Sequence, residues 1–157
     1  MTALPDLSVV VPVKDEVDNA VPLLREICAA LRGRASFEVI FVDDASADGT
    51  VSALVAAKSF APELRVLTHR KNSGQSRAVR TGVIAARGRL IATLDGDGQN
   101  DPADIPLLLD TWNSASTGEG ELGLVAGQRR KRKNGCGNHE QECRTQGKDR
   151  PGERQGR

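Results

Sequence analysis

Four short, nearly unbroken apolar runs constrain the fold of this chain more than any other feature: Leu7–Val11, Phe37–Val42, Leu64–Leu67 and Leu90–Leu94. Each is rich in branched residues and too short to be a helix. Pro12 is expected to stop the first strand. Between the runs the apolar residues recur with helical spacing. Asn19 can cap a helix that runs to about Arg32, with Val21, Leu24, Ile27, Cys28 and Leu31 on one side. Asp48 can cap a helix over roughly residues 49–60, a third helix runs from about Gly74 to Ala86, and a fourth from about Ala103 to Trp112. Leu122 to Ala126 reads as a fifth strand. Strands without polar alternation, joined by helical crossovers, form parallel sheets covered on both faces. The fold class is α/β, with an open, mostly parallel sheet flanked by helices.

Polar residues gather after every one of these strands: Lys14, Asp15 and Glu16; Asp43 and Asp44; Arg70, Lys71 and Asn72; Asp95, Asp97 and Gln99. A parallel sheet brings all four sets to its carboxyl edge, where ligands of open α/β sheets bind. Polar loops alone would account for some of this, but not for acidic pairs after two separate buried strands. Asp95-Gly96-Asp97-Gly98-Gln99 is the most specific of the sets. In an extended segment the carboxylates of Asp95 and Asp97 point the same way. Gly96 and Gly98 leave room for a ligand to approach the backbone. Oxygen donors of this kind suit Mg²⁺ or Mn²⁺, and such a cation can hold a phosphate. Gln99 can add a neutral oxygen or turn its amide outwards. Asp101 and Pro102 can start the next helix without disturbing that arrangement.

The other candidates are more evenly balanced. Asp48 is expected to cap. Asp44 can accept hydrogen bonds from a base or ribose, or bond its own loop, and Asp43 can orient that loop. Arg70 and Lys71 either neutralise phosphates or are solvated. Asn72-Ser73-Gly74 reads as a turn into a helix whose first N–H groups can face the site. No G-x-G-x-x-G follows the first strand and no G-x-x-x-x-G-K-[ST] loop is present, which lowers the standing of hydride-transfer dehydrogenases and P-loop ATPases.

Charge divides the chain. Residues 1–128 carry 12 Lys/Arg against 17 Asp/Glu, whereas residues 129–157 carry 10 against 4. Arg129-Arg130-Lys131-Arg132-Lys133 can meet phosphate or an anionic membrane surface, or be a solvated end. Without interleaved aromatic residues, nucleic acid is not an expected partner. Residues 134–157 contain no Ala, Val, Ile, Leu, Met, Phe, Trp or Tyr, so a disordered polar tail is expected after a domain spanning 1–133. Cys136, His139 and Cys143 match no standard zinc spacing and lack an evident fourth ligand. No apolar run reaches the roughly 18–20 residues that cross a bilayer. The N-terminus lacks a basic signal region. The three cysteines, an odd number, suit a reducing compartment. A cytoplasmic location follows, at the membrane face if the basic run engages lipid.

Four segments in order carry a resemblance: Val9-Val10-Val11-Pro12-Val13-Lys14-Asp15-Glu16, Val42-Asp43-Asp44-Ala45-Ser46-Ala47-Asp48-Gly49-Thr50, Asn72-Ser73-Gly74-Gln75, and Leu94-Asp95-Gly96-Asp97-Gly98-Gln99-Asn100-Asp101-Pro102. They resemble the motifs of family 2 glycosyltransferases, in particular the dolichyl-phosphate mannosyltransferase and bacterial undecaprenyl-phosphate sugar transferase type, over roughly residues 7–130. The resemblance implies a GT-A, Rossmann-like fold, a nucleotide-sugar donor (UDP- or GDP-linked) and a polyprenyl-phosphate acceptor. It implies that Pro12 and Glu16 line the nucleotide pocket and that Asp44 meets base or ribose. Asp95 and Asp97 would hold Mg²⁺ or Mn²⁺ on the diphosphate, with Gln99 contributing. Gly127-Gln128-Arg129 is similar to the start of an acceptor-side basic motif, so Arg129 or Arg130 would contact acceptor phosphate. The implied reaction is a direct, inverting displacement by the lipid phosphate.

From Asn134 onward nothing resembles the family. The expectation is a truncated chain, with a possible frame-shifted end and an incomplete acceptor side. Two alternatives therefore stand beside glycosyl transfer: an inactive fragment that only binds nucleotide-sugar, and another nucleotide-dependent enzyme such as a nucleotidyltransferase. The latter class usually has a glycine-rich basic loop after the first strand, which Pro12-Val13-Lys14-Asp15-Glu16 does not supply.

Overall fold

The computed structural model describes residues 4–115 and the backbone of two short strands beyond them, Leu124–Gly127 and Cys143–Gln146. The chain divides into two compact units, Met1–Ile105 and Pro106–Arg157. In the first, β1 (Leu7–Val13), α1 (Val17–Leu31), β2 (Phe37–Asp43), α2 (Thr50–Ala57), β3 (Leu64–Thr68), α3 (Gln75–Ala85) and β4 (Leu90–Thr93) alternate along the chain. The four strands form one parallel sheet in the order β3-β2-β1-β4. Helix α4 (Asp104–Ala115) begins at the end of this unit and continues into the second. There, strands β5 (Leu124–Gly127) and β6 (Cys143–Gln146) pair antiparallel. The sequence places β5 at Leu122–Ala126, close to its observed span, and gives no sign of β6.

The order follows from the crossovers. Two βαβ steps lay β2 and then β3 to one side of β1, and the next crossover returns past β1 to place β4 on its other side. Chain direction across the sheet therefore reverses between β1 and β4. In open α/β sheets that reversal opens a crevice at the carboxyl ends of the two strands.

The core lies around the central strands. Val9, Val10, Val11, Val39, Ile40, Phe41 and Val42 are fully buried. Ile40 and Val42 pack with Ala78 of α3. At Gly82 the helix comes so close to the sheet that a Cβ would lie 2.4 Å from Val10 Cγ1. The expectation of strands covered on both faces holds for β1 and β2. In β4, a strand with one hydrogen-bonded neighbour, Ile91 and Thr93 are exposed.

Three local expectations are corrected. Pro12 does not end β1, which runs on to Val13 in register with Asp43. The Leu94 N–H bonds to the Val10 carbonyl, so the backbone of Val10, and of Pro12 two residues on, faces β4. That strand has already ended opposite Val10, and proline's missing N–H leaves no ladder partner unpaired. Helix α1 starts at Val17 rather than after Asn19: the Glu16 carbonyl accepts the N–H groups of Asn19 and Ala20, and Asn19 Nδ2 donates to Glu16 Oε2 at 2.7 Å. Asp48, expected as the cap of α2, lies one residue before the cap position, which Gly49 holds, and accepts the Thr50 N–H at 2.9 Å from there.

Candidate functional site

A cavity of about 370 Å³ opens at the carboxyl edge of the first unit. Pro12, Val13, Lys14 and Glu16 line it from the end of β1, and Asp44 from the end of β2. Asn72, Gly74, Gln75 and Ala78 line it from the entry and first turns of α3, and Asp95, Gly96 and Asp97 from the end of β4. All four polar sets expected at this edge thus contribute a residue. Arg70 and Lys71 are exposed and do not line it.

The first two loops are stitched to each other. The Asp15 N–H donates to Ser46 Oγ at 2.8 Å, Asp15 Oδ1 accepts the Ala47 N–H at 2.7 Å, and the Glu16 N–H donates to Thr50 Oγ1 at 3.0 Å. Asp15 and Ala45 both adopt left-handed backbone conformations, with φ of 55° and 61°. For residues with a Cβ this conformation costs energy, which the cross-loop bonds offset. Lys14, the only cation among the described residues that line the cavity, is held by Asp15 Oδ2 at 2.8 Å.

Asp44 is the most heavily bonded acid of the site. Its Oδ1 accepts from His69 Nδ1 at 2.7 Å and from the Ser73 N–H at 2.8 Å; its Oδ2 accepts from the Gly74 N–H at 2.7 Å. Gly74 can offer its N–H here because it takes φ of +89°, open to glycine at little cost. Burial pushes the Asp44 carboxyl upward, but the His69 bond and the two backbone N–H groups outweigh it and hold the group below the usual aspartate value. Of the two roles read from the sequence for Asp44, the bonding of neighbouring loops is the one seen here, and the side chain also lines the cavity. A carboxylate offers about four acceptor positions. The Ser73 N–H also reaches Oδ2, at 3.0 Å, so three donors make four contacts with the carboxylate and hold it firmly in place.

On the opposite wall Asp95 Oδ1 accepts from Gln75 Nε2 at 2.7 Å, and Asp97 Oδ1 accepts the Gln99 N–H at 3.0 Å. Among the described residues these bonds leave one oxygen of each carboxylate uncommitted. Gly96 between them is dictated by space, since a Cβ there would lie 2.5 Å from Val13 Cγ1 and 2.6 Å from the Pro12 carbonyl oxygen. Gln99 is exposed and its side chain does not line the cavity. Arg129 and Arg130 lie outside the described residues, as do Cys136 and His139. No group of three or more His, Cys, Asp or Glu able to hold a metal occurs among the described residues. Two exposed carboxylates with free oxygens still suit a hard cation that takes its other ligands from water and a bound diphosphate. Sequence reading missed His69 and Thr81. Their signal is weak: a histidine one residue past a strand, and a threonine two turns into the next helix.

Fold and site together define an open α/β domain with an acidic pocket at the sheet's switch point. Residues 8–144 match glycosyl transferase family 2, and the chain belongs to that family. It is 40% identical over 135 residues to the dodecaprenyl-phosphate galacturonate synthase of Rhizobium johnstonii, an alignment covering 83% of this chain and 38% of that protein. It is 36% identical to the undecaprenyl-phosphate 4-deoxy-4-formamido-L-arabinose transferase of Pseudomonas fluorescens, over 78% of this chain and 36% of that protein. The chain thus spans well under half the length of these relatives. Among solved structures, a mannosyltransferase from Pyrobaculum calidifontis in complex with GDP-Man and Mn²⁺ superposes with a TM-score of 0.57 and 28% identity, covering 66% of this chain and 30% of that one. Glucosyl-3-phosphoglycerate synthase from Mycobacterium tuberculosis in complex with UDP shares the fold alone, with a TM-score of 0.59 at 22% identity, over 77% of this chain and 43% of that one. The GT-A-type, Rossmann-like architecture expected from the motifs is therefore the architecture found. No helix among the described residues is long and apolar enough to cross a membrane.

Proposed function

We propose that the chain carries the donor-binding half of a glycosyltransferase that moves a sugar from a UDP- or GDP-linked donor to a polyprenyl phosphate. The observation that carries this reading is the cavity itself, which gathers Pro12, Glu16, Asp44, Asp95 and Asp97 from three separate strand ends. Pro12 and Glu16 shape the nucleotide end, and Asp44 accepts from base or ribose. Asp95 and Asp97, with Gln99 nearby, are the residues that would hold Mg²⁺ or Mn²⁺. That ion would neutralise charge on the departing nucleoside diphosphate. The lining supplies four carboxylates and one lysine, so this chain's own side chains repel a diphosphate more than they attract it. The acceptor phosphate is already anionic at neutral pH, and a direct, inverting attack on the anomeric carbon needs no strong protein base. Arg129 and Arg130 are assigned to that phosphate. The catalytic unit spans residues 1–133, with 134–157 as a polar appendage, and works at the cytoplasmic face of a membrane.

The test is calorimetric titration of the chain with UDP- and GDP-sugars, with and without Mn²⁺. Binding is expected only with the ion, and Asp95→Ala and Asp97→Ala are expected to weaken it at least about tenfold. If no donor binds and neither substitution changes anything, the reading is wrong. The second reading is a chain that binds donor without transferring it. Transfer of labelled sugar to undecaprenyl phosphate would rule that out.

A further inference from the structure

We propose that His69 is a positioning residue for Asp44, one that sets the orientation in which the carboxylate faces the nucleotide. The inference rests on the donor-binding reading of the cavity. His69 follows β3, and its N–H extends the β2–β3 ladder by bonding the Asp43 carbonyl at 2.8 Å. That bond places the imidazole beside the next residue of the neighbouring loop, Asp44. Both ring nitrogens are used: Nδ1 meets Asp44 Oδ1 at 2.7 Å and Nε2 meets Thr81 Oγ1 at 2.9 Å. The His69 side chain is 15% exposed and that of Asp44 5%.

The direction of each bond follows from chemistry. An ionised carboxylate only accepts, so Nδ1 carries the proton and donates to Asp44. Nε2 of the neutral ring then accepts from the Thr81 hydroxyl. Thr81 sits on α3, the helix whose entry residues Ser73 and Gly74 grip Asp44 from the other side. The imidazole thus spans from α3 to the β2 loop and closes a ring of contacts around one carboxylate. Without it Asp44 keeps its two backbone donors but can swing about them, because Oδ1 loses its tightest partner.

Amide substitutions separate positioning from bulk. An asparagine amide lies where Nδ1 lies, so His69→Asn keeps a donor for Asp44 and gives up Thr81. A glutamine amide lies where Nε2 lies, so His69→Gln keeps Thr81 and gives up Asp44. UDP and GDP affinity is measured with Mn²⁺ for the full 157-residue chain and for His69→Asn, His69→Gln, His69→Ala, Asp44→Asn and the His69→Ala/Asp44→Asn double variant. The alanine and glutamine variants are expected to bind about tenfold more weakly and the asparagine variant within about threefold of the parent. The double variant should lose little beyond Asp44→Asn alone. Equal affinity in all three single variants at His69, or an asparagine variant as weak as alanine, overturns the proposal. If the parent chain binds neither nucleotide, or Asp44→Asn binds as the parent does, the donor reading falls and the proposal with it. Imidazole ¹⁵N shifts of the parent give an answer independent of nucleotide. The chain has two histidines, and His69 must show a protonated Nδ1 and an accepting Nε2. An unprotonated Nδ1 at neutral pH overturns the bond on which the argument rests.

Discussion

Gly96 shows how a single side chain, or the lack of one, sets the position of two others. The backbone of β4's exit runs against Val13 and the Pro12 carbonyl so tightly that a methyl group has no room. Gly96→Ala should therefore cost about 1–3 kcal/mol, read from urea unfolding, and displace both flanking carboxylates. Asp44 gives a second expectation, in pH. Its folded carboxyl titrates below the ordinary 3.8 despite the upward push of burial, because His69 and two N–H groups favour the ionised form. The stability it adds is complete above the unfolded value and disappears as pH falls through the lower folded one. Urea midpoints measured from about pH 5 to about pH 2 should drop in the parent and drop less steeply in Asp44→Asn. Some slope will remain, since Glu38 is also held low: burial opposes this, but bonds from Ser8, Arg65 and the Arg87 N–H prevail. At this scale the sequence was readable where function sits next to a strand end. Asp95, Asp97 and Asp44 announce themselves by following apolar runs. His69 does not, because its two partners lie 25 and 12 residues away and only the fold brings them together.

Helix α3 does the same service one level up. It touches the sheet through Gly82 and Ala78, and its entry turn delivers Gly74 and Gln75 to the cavity. An added methyl at Gly82 would meet Val10 Cγ1 at 2.4 Å and Val42 Cγ2 at 3.1 Å. Gly82→Ala should thus lift the helix, cost about 1–3 kcal/mol in unfolding and weaken nucleotide binding together. Existence and order of the elements were legible because apolar period changes cleanly between strand and helix. Their ends were less so. Pro12 reads as a stop until the neighbouring strand is known to have ended, and Asn19 reads as a cap until Glu16 is seen to accept the first helical N–H groups. Both errors come from judging a residue by type when its partner strand or turn decides.

For the whole molecule, the strand order β3-β2-β1-β4 fixes where chemistry can occur, and the cavity lies at that reversal. The sequence conveyed a parallel sheet with polar sets at its carboxyl edge, but neither the strand order nor the pairing of β5 with β6, a strand that offers no apolar pattern. The short span relative to its relatives makes one expectation specific to this chain. Donor binding is expected in this chain, since the described residues that line the cavity all fall between Pro12 and Asp97, and calorimetry on the 157-residue chain checks this directly.

The turn into α3 has one more consequence. Ser73 and Gly74 hold Asp44, and the very next residue, Gln75, holds Asp95. Three consecutive residues thus gauge the gap between Asp44, the acid proposed to meet the nucleoside, and Asp95, the acid proposed to meet its phosphates. A gauge built from one rigid turn measures length. It should prefer a diphosphate to the shorter monophosphate and the longer triphosphate of the same nucleoside, a ranking that competition among UMP, UDP and UTP, or their guanosine counterparts, would reveal.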